Sequence, residues 1–163
     1  MRVARFGLLA LLVVTAASCR QQPDLESLRA EILELHRSNI QAHLDKDAAF
    51  LARPTSPDYL SVSNGRVQKM DAGEMEQMLA EYLNSTEFSE YRDVADPIIG
   101  ISRDGSLAWA IVQVRVAGTM PMPDGSSRAF DTLWAWITLY ERNDGQWLRL
   151  ADVSTNRPFN EQP

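Results

Sequence analysis

Cys19 is the one cysteine of the chain, and it stands directly behind an apolar run, in Thr15-Ala16-Ala17-Ser18-Cys19. A lone thiol has no partner within its own chain, so its chemistry is confined to an intermolecular bridge, a free reactive thiol or attachment of lipid. Other reactive groups are sparse. His36 and His43 are the two histidines, seven residues apart, with Asp47 four further on. On a continuous helix those intervals bring all three to roughly one side. Zinc prefers ligands one turn apart and more histidine or cysteine than is present, so no metal site is expected. Both histidines are expected to border an apolar stripe, partly exposed. Arg115 sits among apolar neighbours and needs a carboxylate or an anionic ligand to offset its desolvation, unless it emerges at the exposed end of a strand. Asp131 and Asp152 are its candidate partners. No serine occupies a nucleophile elbow, and the stretch from Gly100 to Gly105 lacks the spacing and the lysine of a phosphate loop.

The densest set of large side chains runs from Phe130 to Tyr140. Phe130, Thr132, Trp134, Trp136, Thr138 and Tyr140 fall on one face of a strand, and Asp131, Leu133, Ala135, Ile137 and Leu139 on the other. In the preceding strand Trp109, Ile111, Gln113 and Arg115 alternate with Ala108, Ala110, Val112, Val114 and Val116. Flat aromatic side chains bury much apolar area and line ligand cavities beside a few polar groups; they also fill cores. As pocket residues the candidates are Trp109, Arg115, Phe130, Trp134 and Trp136.

These residues must be positioned by the elements around them. Leu25, Leu28, Ile32, Leu35, Asn39 and Ala42 recur at helical spacing, with Asp24 as the N-cap. Ala48, Phe50 and Leu51 predict a short second helix, which Pro54 and Pro57 end. Tyr59, Leu60 and Val62 predict a strand that turns at Asn64-Gly65 into residues 66–68. A third helix is expected over residues 71–84. From there the period is two: strands are predicted over residues 88–94, 97–101, 107–118, 128–141 and 146–154. Turn chemistry at Arg103-Asp104-Gly105, Pro123-Asp124-Gly125 and Asn143-Asp144-Gly145 separates them. Helices first and a long antiparallel meander after make an α+β arrangement.

The beginning of the chain has a different logic. Arg2 and Arg5 precede the uncharged stretch from Phe6 to Val14, and small residues follow, which is the layout of an export signal. Nine apolar residues are too few to cross a hydrocarbon core, which takes about 20 in a helix. The segment resembles a bacterial lipoprotein signal, whose small residues lead to a cysteine that is acylated and becomes the new amino terminus. Ala16 stands where that pattern prefers leucine, so a cut after Ala17 is the alternative. The expected organisation is a signal peptide at 1–18, a lipidated Cys19 and tether at 19–24, a body at 25–158 and a tail at 159–163. Localisation follows: the bacterial cell envelope, with the protein held at a membrane through lipid on Cys19. Cleavage leaves 145 of the 163 residues, enough for one domain. The 16 basic and 22 acidic residues balance at −6, and loss of Arg2 and Arg5 makes the count 14 against 22. That acidity argues against nucleic acid as a partner.

The order of elements, with Asp45-Lys46-Asp47 before the short helix, Asp58-Tyr59-Leu60 with Asn64-Gly65, and Asn143-Asp144-Gly145-Gln146-Trp147 opening the last strand, is similar to the NTF2-like superfamily. Its SnoaL-like and DUF4440-type members are the nearest in pattern. The resemblance implies a cone in which helices close the wide side of a strongly curved antiparallel sheet, a pocket on the concave face, and often a sheet-to-sheet homodimer. Related isomerases and dehydratases use pocket Asp, Tyr or His as acid and base; Tyr59, Asp131 and Asp152 are the candidates here. Many relatives carry histidines four and six residues after the tryptophan of the last strand, where this chain has Ala151 and Val153. The expectation is therefore a noncatalytic binding module for a small apolar ligand or an envelope protein, with no cofactor. An Asp/Tyr isomerase or dehydratase and a ligand-free structural dimer are the alternatives.

Overall fold

A computed structural model of the chain describes residues 23–159. The expected signal peptide, the acylated Cys19 and most of the tether lie outside the described residues. Asp24 caps the first helix, α1 (Leu25–Leu44), by accepting from the backbone N–H groups of Glu26 and Ser27 at 3.2 Å. Asp47 caps the short α2 (Ala48–Ala52), accepting from Phe50 N–H at 2.9 Å. The hairpin of β1 (Thr55–Ser63) and β2 (Arg66–Lys69) turns at Asn64 and Gly65, both at positive φ, the type I′ geometry that suits the twist of paired strands. Asp71 and Glu74 form a reciprocal capping box at the start of α3 (Ala72–Ser85).

The remainder is sheet: β3 (Glu87–Asp93), β4 (Ile98–Ile101), β5 (Leu107–Pro121), β6 (Ser127–Asn143) and β7 (Gln146–Pro158). The strand order is β2-β1-β7-β6-β5-β3, with β4 on the same edge of β5 as β3 but further along. The three long strands form the expected antiparallel meander. The β1–β7 pair is parallel, however, so the sheet is mixed rather than wholly antiparallel. A parallel pair needs a long crossover. Here the crossover is α3 and the whole meander, which no local turn signal can announce. The sheet also bulges at Phe88/Glu90 on β3, where Gly118 of β5 lets the backbones meet: a β-carbon on Gly118 would lie 2.3 Å from the Glu87 carbonyl oxygen.

Alternation on β5 decides which face is inside. Ala108, Ala110, Val112, Val114 and Val116 are buried, and they pack with Leu28 and Ile32 of α1 and with Ile99. Ile32 is fully buried, and removing a side chain of that kind to alanine costs about 2–5 kcal/mol. Small residues on β5 let α1 approach closely, while Trp147 at the start of β7 ties the helix down by donating its indole N–H to Glu31 at 2.9 Å. A second cluster joins Ala42, Leu51 and Leu83, which packs α2 and α3 against the C-terminal part of α1.

Candidate functional site

Between α1, α2, α3 and the concave face lies a cavity of about 340 Å³. Register places Trp134, Trp136, Thr138 and Tyr140 of β6 on that face, opposite Val114, Val112, Ala110 and Ala108. Trp134 and Trp136 line the cavity with Tyr82 of α3, Tyr91 of β3, Leu51 and Val116. Its polar wall is Asn39, His43, Thr138, Tyr140, Arg149, Asp152 and Ser154.

Two polar groupings dominate. In the first, Asp152 accepts from the Tyr59 hydroxyl at 2.9 Å and from the Thr138 hydroxyl, with Arg149 Nη1 at 3.7 Å. Arg149 donates to the Leu51 carbonyl and to Thr55 and lies over the Tyr59 ring at 5.7 Å. Residues 149 and 152 would face opposite sides of a regular strand. The register shift opposite Leu139 and Tyr140 inserts an extra residue in β7, and this bulge turns Arg149 to the side of Asp152. Burial, aided by the charge of Asp152, pushes the Tyr59 phenol above its ordinary range and that of Tyr140 to about 12. Both hydroxyls stay protonated at neutral pH.

The second grouping is His43. Its Nδ1 lies 2.7 Å from the Asn39 carbonyl oxygen, which can only accept, so the ring proton sits on Nδ1 and Nε2 carries a lone pair. The ring stacks on Tyr91 with centroids 4.4 Å apart. Desolvation lowers its pKa from 6.5 to about 4, with the positive charge of Arg149 adding to the effect and the Asn39 carbonyl opposing it. His43 is neutral at pH 7.

The structure brings Asp152, Trp134 and Trp136 to the cavity and holds Tyr59 just behind Asp152. Phe130 is on the same face but packs against the core instead of lining the cavity. Trp109, Arg115 and Asp131 are on the opposite, convex face and do not reach it. The reason is the parity of β5, whose small residues are needed under α1. Trp109 lies over Gly100, leaving no room for a β-carbon there. Arg115 holds Asp131 in a bidentate pair, both contacts 2.9 Å, and meets Glu90 at 3.0 Å. The guanidinium holds the Asp131 carboxyl below its usual range, and Phe159 covers it at 4.2 Å. His36 is buried rather than partly exposed, its Nε2 2.8 Å from Asp93. Among the described residues no cluster of three or more His, Cys, Asp or Glu is arranged to hold a metal.

The convex face carries a second feature. Val67, Val62, Val153, Ile137, Ile111 and Ile98 are successive cross-strand neighbours on β2, β1, β7, β6, β5 and β4. They form one apolar row across six strands, and Val67, Val153, Ile111 and Ile98 are exposed. Leu60, Leu139 and Trp109 make a parallel row beside it. Among the described residues no helix covers either.

No protein-family model and no curated protein sequence matches the chain. Solved structures do. An NTF2-like superfamily protein from Salmonella enterica superposes with a TM-score of 0.64 at 13% identity, covering 83% of this chain and 95% of its own. An NTF2-like protein from Cytophaga hutchinsonii gives 0.62 at 17% identity, over 78% and 96%. A putative calcium/calmodulin-dependent kinase II association domain from Exiguobacterium sibiricum gives 0.62 at 12% identity, over 86% and 98%. The fold of this chain is NTF2-like: helices packed on a curved sheet that does not close.

Proposed function

We propose that the domain is a noncatalytic binding module for a small, largely apolar molecule, exported and held at a bacterial membrane through lipid on Cys19. The observation that carries the reading is the division of labour in the cavity. Its aromatic wall is open to a ligand, while its strongest acid–base groups are engaged with one another, Asp152 with Tyr59, Thr138 and Arg149. In this reading these contacts are structural and hold the polar wall in place. Native mass spectrometry of the delipidated protein tests it: a retained small molecule, or one taken up from a panel of flat aromatics, is expected. A protein that neither retains nor takes up any ligand refutes the reading. The anchor is separable, since Cys19→Ser is expected to release the protein from the membrane fraction.

The Tyr59–Asp152 contact also favours a second reading, acid–base isomerisation or dehydration in the same cavity. Asp152→Asn would then abolish turnover while sparing ligand uptake. The apolar rows favour a homodimer through the convex face. The rows, six and four strands long at about 4.8 Å spacing and each about 7 Å deep, give about 330 Å² in projection, so the polar residues around them must supply the rest of the about 800 Å² per partner of a standard interface. A symmetric pair would bury the same rows on both protomers.

A further inference from the structure

Resting on the pocket reading, we propose that the cavity selects an uncharged planar aromatic ligand that bears a hydroxyl or N–H group, and that His43 Nε2 is the acceptor that reads this group. His43 spends its one ring proton on the Asn39 carbonyl, and the stack on Tyr91 holds the ring's plane. Nε2 is thereby left as a lone pair on a cavity-lining side chain, and no described residue donates to it. A lone pair in a partly dry wall is satisfied by a donor and by nothing else.

The remaining groups argue against a charged ligand. Asp152 and Arg149 face each other across 3.7 Å, so their charges offset locally, and each already has further partners. On Arg149, Nη2 is spent on the Leu51 carbonyl and Thr55, Nε is buried, and Nη1 faces Asp152. A charged ligand would also have to shed its hydration against the aromatic wall of Trp134 and Trp136. Trp134 and Trp136 supply the flat apolar surface.

The experiment is calorimetric titration of the wild-type domain at pH 7.5 with three probes of one shape: 2-hydroxyfluorene, 2-methoxyfluorene and fluorene-2-carboxylate. The hydroxyl compound is expected to bind about five- to ten-fold tighter than the methoxy compound, the yield of one added hydrogen bond. The carboxylate is expected to be weakest. In His43→Phe, checked for folding by circular dichroism, the hydroxyl-to-methoxy ratio is expected to fall to near one; in His43→Gln, whose amide oxygen can accept, part of it returns. Equal binding of hydroxyl and methoxy probes by the wild type, tightest binding of the carboxylate, or an unchanged ratio in His43→Phe overturns the inference and leaves the pocket reading standing. Failure of all three probes to bind overturns the inference too, while the pocket reading falls only if native mass spectrometry also finds no ligand.

Discussion

Acidification should destabilise this domain through His43 in a way one substitution can isolate. In the unfolded chain the imidazole takes up a proton near 6.5, whereas in the folded domain it does so only near 4. Between those values the unfolded state binds the extra proton, so stability is complete above pH 6.5, falls as the pH drops below it, and levels off below 4. The gap amounts to about 3 kcal/mol in full, of which about 2–3 kcal/mol is lost by pH 4.5. Every other ionisable group is shared with a His43→Gln protein, so the difference between the two isolates His43. The groups that face His43 are likewise retained there: the Asn39 carbonyl, Tyr91 and the Arg149 guanidinium. Urea unfolding of both proteins at pH 7.5, 5.5 and 4.5 is the assay. The wild type is expected to lose about 2–3 kcal/mol more than His43→Gln across that range. Equal losses, to within about 0.5 kcal/mol, would refute the desolvation argument. So would a His43 ring resonance that titrates near 6 instead of near 4.

Three further outcomes follow from the geometry. Gly118→Ala forces a β-carbon against the Glu87 carbonyl and should cost about 1–3 kcal/mol in urea unfolding; a loss too small to measure would mean that β3 moves freely away from β5. Tyr59→Phe removes one of the two hydroxyl donors to Asp152 and should cost about 1–2 kcal/mol, read by the same assay, with Asp152 still held by Thr138. Ile137→Lys places a charge in the middle of the apolar row and should shift sedimentation from dimer to monomer, while a wild-type protein that sediments as a monomer would end the dimer reading.

Much of this arrangement is legible in the residues alone, and the parts that are not have physical reasons. The helix cap at Asp24 and the turns at Asn64-Gly65 and Asp144-Gly145 are local chemistry, and local chemistry is what a sequence carries. Alternation on β5 and β6 likewise separates two sets of side chains. It does not say which set is concave, and the bulky set on β5 suggested a pocket that its small set in fact serves by admitting α1. Hence Trp109 and Arg115 point outward although Trp134 and Trp136 point in. Arg149 escapes sequence reasoning for a sharper reason: a bulge reverses strand parity, and nothing in the neighbouring residue types marks it. His43 was visible as a residue but not as a cavity wall, because its environment is made by Tyr91 and Arg149, which come from β3 and β7, far along the chain. The pairing of Arg115 with Asp131 follows from the β5–β6 register once that is known.

The two faces of β6 have a consequence for how such a protein can change. Trp134 and Trp136 belong to the cavity, and Leu133, Ala135 and Ile137, interleaved with them, belong to the outer surface. Side chains on opposite faces share few neighbours, so substitutions in one set should add to those in the other with little coupling. A lineage could therefore exchange its ligand while keeping its oligomeric state, or the reverse, one residue at a time. A library that randomises positions 134, 136 and 154 could likewise be screened for new ligands without re-examining assembly. The single strand is in effect two independently editable texts written on alternate lines.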